Sequence, residues 1–306
     1  MITTSSTSLR SGQAVPATRS TIGLFIFVVL AWSLNWVVMK LAVHDIAPLW
    51  AITMRTALAA ILLFPILYLN RQLILPPRSD YPVVVSISLF HMVGFAALMT
   101  LGLTHISAGR AIVLGYTTPL WVAPAAVVFL KEKMSIREML GMVIGIGGLL
   151  LLVGSNASDW RSKDAIWGNV LPLLASLSWS VSIIYTRAHR WTATPLQLMP
   201  WQCLLATVVL SGLALGLEGL PPTRVSSVTA LALAYNGVIG TALGFWAMTV
   251  VNRRVPATTS ALGVLATPIL GIGIAAVVLG ERIELVLILS ALVIVIGLFV
   301  GRQAPH

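Results

Sequence analysis

Apolar residues gather along this chain into long unbroken runs rather than alternating with polar ones. Each run is long enough for a helix of about 18 residues or more, which crosses a hydrocarbon core roughly 30 Å thick. Only helices or closed barrels satisfy every backbone amide at that depth, and the runs lack the alternation typical of barrel strands. The pattern therefore predicts an all-α membrane protein.

Ten of these runs are predicted to be transmembrane helices joined by short polar loops. The tail of residues 1–20 is rich in Ser and Thr, and we expect it to be disordered in the cytoplasm. No small-residue cleavage site lies close behind the first run, which favours a membrane helix over a secretory signal. The predicted spans are residues 21–39, 47–69, 82–103, 107–130, 135–154, 165–187, 196–217, 226–251, 256–279 and 284–301.

Composition agrees with this pattern, and the distribution of charge adds an orientation. The 306 residues are 58% hydrophobic and 9% charged, with a mean hydropathy of +0.96. A net charge of +10 is compatible with nucleic-acid binding, but the basic residues vary in density from loop to loop, as an insertion signal does. With the tail inside, twelve of the 19 Lys and Arg residues lie on the cytoplasmic side. We therefore predict cytoplasmic termini, lipid as a partner and no nucleic-acid partner.

The sequence lacks the residue patterns of several kinds of enzyme. The single cysteine, Cys203, excludes an intramolecular disulfide and provides no metal-binding set. No Gly-rich phosphate loop is present, and the loops are too short to contain a catalytic domain. We predict no enzymatic activity and no cofactor, so any transport would be driven by gradients of ions or substrate.

The two halves of the chain repeat each other. Pro119 recurs as Pro268, and Glu132 recurs as Glu281, in both cases 149 residues later. An internal repeat of this kind is common in transporters. Further matches are Trp32 with Trp179, Pro48 with Pro195, and Met99 with Met248.

Each repeat contains five predicted spans, so the second repeat enters the bilayer inverted. We predict one five-helix repeat over residues 21–154 and a second, inverted repeat over residues 165–301, with a central cavity between them. Inverted halves can exchange shapes, which favours alternating access. The alternative is a duplication that enlarged a stable bundle without transport.

Several residues in both halves carry a family resemblance. The chain resembles the EamA family of the drug/metabolite transporter superfamily, and within it the YddG subgroup of aromatic amino-acid exporters. The resemblance implies cytoplasmic termini, a cavity lined mainly by spans 1, 3, 4, 6, 8 and 9, and export of amino acids. Its carrying residues are Trp32, Ser33, Asn35, Pro48, Arg55, Thr118, Pro119 and Glu132, followed by Gly141, Gly145, Gly147 and Gly148, with Gly280, Glu281 and Arg282 in the second copy.

Arg55 departs from the repeat, because the matching residue of the second half is Gln202. Contact with a substrate carboxylate is one possible role for Arg55. Since the resemblance places span two outside the cavity, it favours a structural role.

Polar and aromatic residues within the spans are the candidate substrate-binding residues, since such groups are costly in hydrocarbon. All nine carboxylates lie in loops or at span ends, which argues against a cation/proton exchanger. The remaining lining suits a zwitterion with an apolar side chain. The candidates are Trp32, Asn35, His91, Phe95, Tyr116, Trp179, Ser180, Tyr235, Asn236, Trp246 and Ser260.

Structural roles compete with substrate binding for many of these residues. Hydroxyl groups in a span can bond a carbonyl one turn back, and Asn35 and Asn236 can bond across helices. His91 is the only mid-span group with an ordinary pKa near neutrality, so it is either a proton-coupling group or a hydrogen-bonded pore residue.

Pro119 and Pro268 interrupt spans four and nine and are candidate hinges, with static kinks as the alternative. Glycines at spacings of four and three, Gly141, Gly145 and Gly148, give span five a close-packing face, within a half or between protomers of a homodimer. A monomer and a homodimer are both compatible with the sequence.

These observations predict a multi-pass carrier of the bacterial inner membrane that exports amino acids, preferably aromatic or other apolar ones. Efflux of drugs or other small metabolites is the alternative within transport. A membrane enzyme or receptor without transport activity is the alternative from another class.

Overall fold

In a computed structural model of the chain, the described residues are 19–154, 162–254, 264 and 266–301, without the side chains of residues 252 and 253. Every regular element within these ranges is a helix. Residues 1–18 of the predicted tail lie outside the described residues, and the first helix already begins at Arg19.

Within the described residues, eight helices are long and apolar enough to cross a membrane, and two more are apolar but shorter. The prediction of an all-helical fold with several helices able to span a membrane is thereby confirmed for the described residues, whereas ten crossings and inversion of the halves stay predictions. The helices are α1 Arg19–Asp45, α2 Pro48–Leu69, α3 Arg78–Leu103, α4 Ala108–Leu130, α5 Ile136–Gly154, α6 Lys163–Ala188, α7 Pro195–Leu217, α8 Ser227–Val251, α9 Ala266–Leu279 and α10 Leu285–Val300.

Polar side chains at the loop ends define where several helices begin. Ser107, Ser162, Thr194 and Ser226 precede α4, α6, α7 and α8, and each side-chain oxygen accepts the backbone N–H three residues on, at 3.1–3.3 Å. Such caps satisfy amides that have no partner within the helix. The polar loop residues of the sequence therefore act as helix start signals.

The repeat seen in the sequence also appears in the packing. Helix α1 packs against α8 and α9, and its counterpart α6 packs against α3 and α4. Two π-helical stretches, Ile87–Phe95 in α3 and Tyr235–Leu243 in α8, begin 148 residues apart. Because π-helices are rare, their presence at matching positions shows that both halves use the same local distortion.

Helices α5 and α10 approach each other closely through glycine. A Cβ atom added to Gly297 would lie 2.6 Å from the carbonyl oxygen of Gly141 and from the backbone nitrogen of Gly145. Only glycine permits such a distance, as in other small-residue helix contacts in membranes. The glycine face predicted in span five therefore packs against the last helix of the other half.

Candidate functional site

Irregular turns in three helices meet near the middle of the bundle. The π-helical stretch of α3 carries His91 and Phe95, and that of α8 carries Gly240 and Thr241. Helix α4 is interrupted at Tyr116, between the segments Ala108–Gly115 and Thr118–Leu130. Wide turns and breaks of this kind open helices locally and occur often at functional sites.

The interruption of α4 lies directly before Pro119, which has no N–H to continue the helical bonding. The carbonyl of Leu114 accepts the hydroxyl of Ser176, from α6, at 2.9 Å, and the carbonyl of Gly115 accepts the hydroxyl of Thr118 at 2.8 Å. Hydroxyl groups thus satisfy backbone oxygens near the break. Movement about Pro119 stays a prediction.

The second candidate hinge, Pro268, lies in the first turn of α9. Ser260, a candidate site residue, lies outside the described residues.

A cavity of about 150 Å³ lies among these distorted turns. Its walls come from α1, α2, α3 and α4 of the first half and from α6 and α8 of the second half. None of the described lining residues is acidic. The lining consists of Trp32, Asn35, Trp36, Arg55, Thr56, His91, Met92, Phe95, Gly115, Tyr116, Trp179, Gly240, Thr241 and Phe245.

Aromatic rings form most of the apolar wall. The rings of His91 and Trp179 are stacked, with centroids 5.0 Å apart and planes 7° from parallel. Phe95 lies 4.9 Å from Trp179, and Phe245 lies 5.5 Å from Trp32, measured between centroids. These contacts join α1, α3, α6 and α8 around one apolar surface that can pack against a ring or a branched chain.

Two polar groups in the same walls have atoms without a partner. Asn35 Oδ1 and Arg55 Nε are buried, and neither forms a hydrogen bond with the described residues. Gly240 makes room for the amide, because a Cβ atom there would lie 3.0 Å from Asn35 Cγ. Buried polar groups are usually paired, so these two atoms leave one hydrogen-bond acceptor and one donor available to a polar ligand in the same cavity.

Six of the residues predicted from sequence line this cavity: Trp32, Asn35, His91, Phe95, Tyr116 and Trp179. Four other candidates lie elsewhere. Ser180 is buried and donates to the carbonyl of Leu177, and the hydroxyl of Tyr235 donates to the carbonyl of Ala31 at 3.1 Å. Asn236 is fully buried and donates to the carbonyl of Ala232, while its Oδ1 has no partner among the described residues. Trp246 is 41% exposed and does not line the cavity.

Three conspicuous lining residues are absent from the sequence-based prediction: Trp36, Arg55 and Phe245. Trp36 lies one turn after Trp32 on the same face of α1, and this spacing is visible in the sequence. Arg55 and Thr56 bring α2 into the cavity wall, although the family resemblance places the second span outside it. No sequence signal marks Phe245 over its neighbour Trp246.

A carboxylate fastens the start of α4 to the loop before α10. Glu281 accepts the backbone N–H groups of Ala108 at 2.6 Å and Gly109 at 3.1 Å. Its counterpart in the first half, Glu132, instead accepts two bonds from Arg187 at 2.7 and 2.9 Å. Glu281 and Glu132, which occupy matching positions of the two repeats, therefore bind different partners.

Replacing Glu281 with Gln should lower the free energy of unfolding by about 1–2 kcal/mol, because a neutral amide replaces the anion that caps two amides at a helix N-terminus. Thermal unfolding of the detergent-solubilised protein measures the change. Glu284→Gln is the matched control, because the side chain of Glu284 does not cap α10. Equal melting temperatures for the two variants would show that the cap contributes nothing.

Comparison with known proteins shows similarity along nearly the whole chain. The profile of the EamA-like transporter family matches residues 19–154 and again residues 166–301. The chain is 27% identical to the uncharacterized transporter YoaV of Bacillus subtilis, covering 90% of this chain and 94% of that protein. It is 26% identical to a probable amino-acid metabolite efflux pump of Escherichia coli, with 91% and 93% covered.

A solved crystal structure is similar to this chain in fold, with a TM-score of 0.61 and 18% sequence identity. The similarity covers 92% of this chain and 96% of that chain. The helical architecture is therefore shared with an experimentally determined structure.

Proposed function

This chain belongs to the EamA-like transporter family, and from that premise we propose that it exports amino acids across a bacterial inner membrane. The preferred substrates are aromatic or other apolar amino acids. Both chain termini lie in the cytoplasm, and the ten helices form two inverted five-helix repeats. The chain acts as a secondary carrier that uses no cofactor.

The observation that carries this proposal is the chemistry of the cavity wall. Asn35 Oδ1 can accept a hydrogen bond from an ammonium group, and no described lining residue is acidic, so a carboxylate meets no repulsion there. The ring cluster beside them accommodates an apolar side chain. A small zwitterion with an apolar side chain meets all three requirements at once.

The size of the cavity is compatible with the side chain of such a solute. Its volume of about 150 Å³ resembles that of an engineered cavity that binds benzene. One ring or one branched side chain fits in that space. The relative named as a probable amino-acid metabolite efflux pump supports the same substrate class.

Alternating access follows from the relation between the halves. Helices α1 and α6 make matching contacts and both halves contain the same π-helical distortion, which supports an exchange of shapes between the halves. The different partners of Glu281 and Glu132 fit a protein in which the two halves occupy different states.

Efflux of drugs or other metabolites is the second candidate. Cationic drugs are disfavoured, because the described lining contains Arg55 and no carboxylate. A neutral or anionic metabolite with an apolar body remains compatible with the cavity. A membrane enzyme or receptor is a weaker alternative, because the family is one of transporters.

Counterflow in proteoliposomes tests the proposal. Vesicles loaded with unlabelled L-phenylalanine or L-leucine should accumulate the labelled amino acid transiently and saturably, since carriers exchange substrate across the bilayer. Protein-free vesicles and vesicles loaded with a cationic dye are the controls. Movement of the dye without movement of either amino acid would refute amino-acid export.

A further inference from the structure

We propose that Arg55 is the anion-binding residue of the cavity, and that the protein selects solutes carrying a carboxylate on an apolar body over amines without one. The inference rests on the proposed function, since it assigns a head group to the transported molecule. It assigns to Arg55 a role in substrate selection that the family resemblance does not imply.

The position of Arg55 is the first observation. It is the eighth residue of α2, between two apolar stretches of a 22-residue helix. Its side chain lines the cavity, and its buried Nε forms no hydrogen bond with the described residues. A buried cation within an apolar helix is costly unless it is paired or solvated, so an arginine without a partner favours a functional role.

The carboxylates of the described residues are placed elsewhere. Asp80, Glu132, Glu218 and Glu281 lie at helix ends, where they accept backbone amides, His189 or Arg187. No ion pair involving Arg55 occurs among the described residues. The counter-ion that the guanidinium requires is therefore not supplied by the described part of the chain, and an anionic ligand can supply it.

Arginine is chemically suited to this role. Its planar guanidinium binds a carboxylate through two parallel hydrogen bonds, and it stays charged in nearly all environments. Lysine provides a point charge without that geometry. The residue type thus fits the recognition of a planar, two-oxygen anion.

The asymmetry of the repeat supports the same conclusion. The matching position in the second half is Gln202, which is buried and does not line the cavity. An arginine that only held helices together would be useful in both halves, which pack by the same pattern. A solute with one carboxylate requires only one such residue.

The neighbouring groups define the rest of the solute. His91 lines the same cavity and adds ring nitrogens that can form hydrogen bonds, whereas the hydroxyl of Thr56 already bonds the carbonyls of Ile52 and Thr53. The stacked pair of His91 and Trp179 faces the apolar body. A carboxylate on an aromatic or branched carbon skeleton is the class that this arrangement accepts.

Binding by three related probes tests the inference in the wild-type protein. The probes are L-phenylalanine, 3-phenylpropanoate, which lacks the ammonium group, and phenethylamine, which lacks the carboxylate. Thermal stabilisation of the solubilised protein should give an apparent Kd for 3-phenylpropanoate at least about tenfold below that for phenethylamine. Equal stabilisation by the acid and the amine, or no stabilisation by the acid, would overturn the assignment.

Substitution of Arg55 provides a second test of the anion site. Arg55→Gln introduces the residue of the other repeat, and it should weaken binding of 3-phenylpropanoate roughly tenfold to hundredfold without weakening phenethylamine. Arg55→Lys should lose part of the affinity for the acid, because it keeps the charge without the planar fork. Arg71→Gln, at an exposed position after α2, controls for the loss of one positive charge.

The two proposals fail separately. If the wild type binds 3-phenylpropanoate through Arg55 but moves no amino acid in counterflow, the proposed export function fails and the anion site stands. If the wild type transports L-phenylalanine and Arg55→Gln does so with unchanged KM, the anion site fails and the export function stands. Should Arg55→Gln not fold, the wild-type comparison of the three probes decides alone.

Discussion

Replacing Trp179 with Ala is expected to raise the KM for an aromatic amino acid roughly tenfold to hundredfold, with little loss of folded protein. Trp179 lines the cavity, stacks on His91 and touches Phe95. Its ring provides apolar area and a stacking surface that a solute ring would use in the bound state. Uptake into proteoliposomes, normalised to folded protein, measures the effect.

Trp246→Ala is the matched control, because it removes the same side chain from a position that is 41% exposed and does not line the cavity. We expect a KM within about twofold of the wild type for this variant, since surface substitutions usually change little. Asn35→Ala should resemble Trp179→Ala, because Asn35 also lines the cavity. Wild-type rates for both cavity variants would remove these residues from the binding site.

Helix positions were predictable because the bilayer sets the length of each apolar run. Helix α2 covers residues Pro48–Leu69 where the pattern predicts 47–69, and α10 covers Leu285–Val300 where it predicts 284–301. Proline in the first turn and polar caps mark the helix starts directly in the sequence. The duplication was also visible in the sequence, because Pro119 and Pro268 lie at matching positions of the fourth and ninth spans.

The face of a helix that meets the cavity was harder to predict. Side chains repeat every 3.6 residues on a regular α-helix. The residues predicted to share a face with Asn236 therefore include Trp246 or Ala247. The π-helical stretch Tyr235–Leu243 adds a residue to the turn and displaces the face, so Gly240, Thr241 and Phe245 line the cavity. Periodicity alone carries no signal of such a stretch.

Arg55 illustrates a second limit of sequence reasoning. The sequence shows that the residue is charged and lies within an apolar run, but the direction of its side chain depends on how α2 packs. Helix α2 packs along α7 and also contacts the π-helical stretch of α8, where a Cβ on Gly237 would lie 3.1 Å from the carbonyl oxygen of Arg55. This close contact places Arg55 beside the cavity.

The close contact between α5 and α10 should make the fold sensitive to a larger residue at Gly297. The atoms that oppose a side chain at Gly297 are the backbone of Gly141 and Gly145, which cannot move like the end of a flexible side chain. Helix association in a membrane depends on such close packing, since lipid is as apolar as the helix surfaces. A larger residue at this position must therefore separate the two helices.

Replacing Gly297 with Leu should lower the free energy of unfolding by more than about 3 kcal/mol, above the usual cost of overpacking, because the obstruction is backbone on both sides. Proteins are stable by only about 5–15 kcal/mol, so much less folded protein should be recovered by gel filtration after detergent extraction.

Gly147→Leu is the matched control, because a Cβ at exposed Gly147 meets nothing within 4 Å. Its recovery and melting temperature should match the wild type, since leucine also favours the helix. If both leucine variants were recovered equally, close contact between α5 and α10 would not stabilise the fold, and the two halves would be held together by the α2–α7 and central contacts instead.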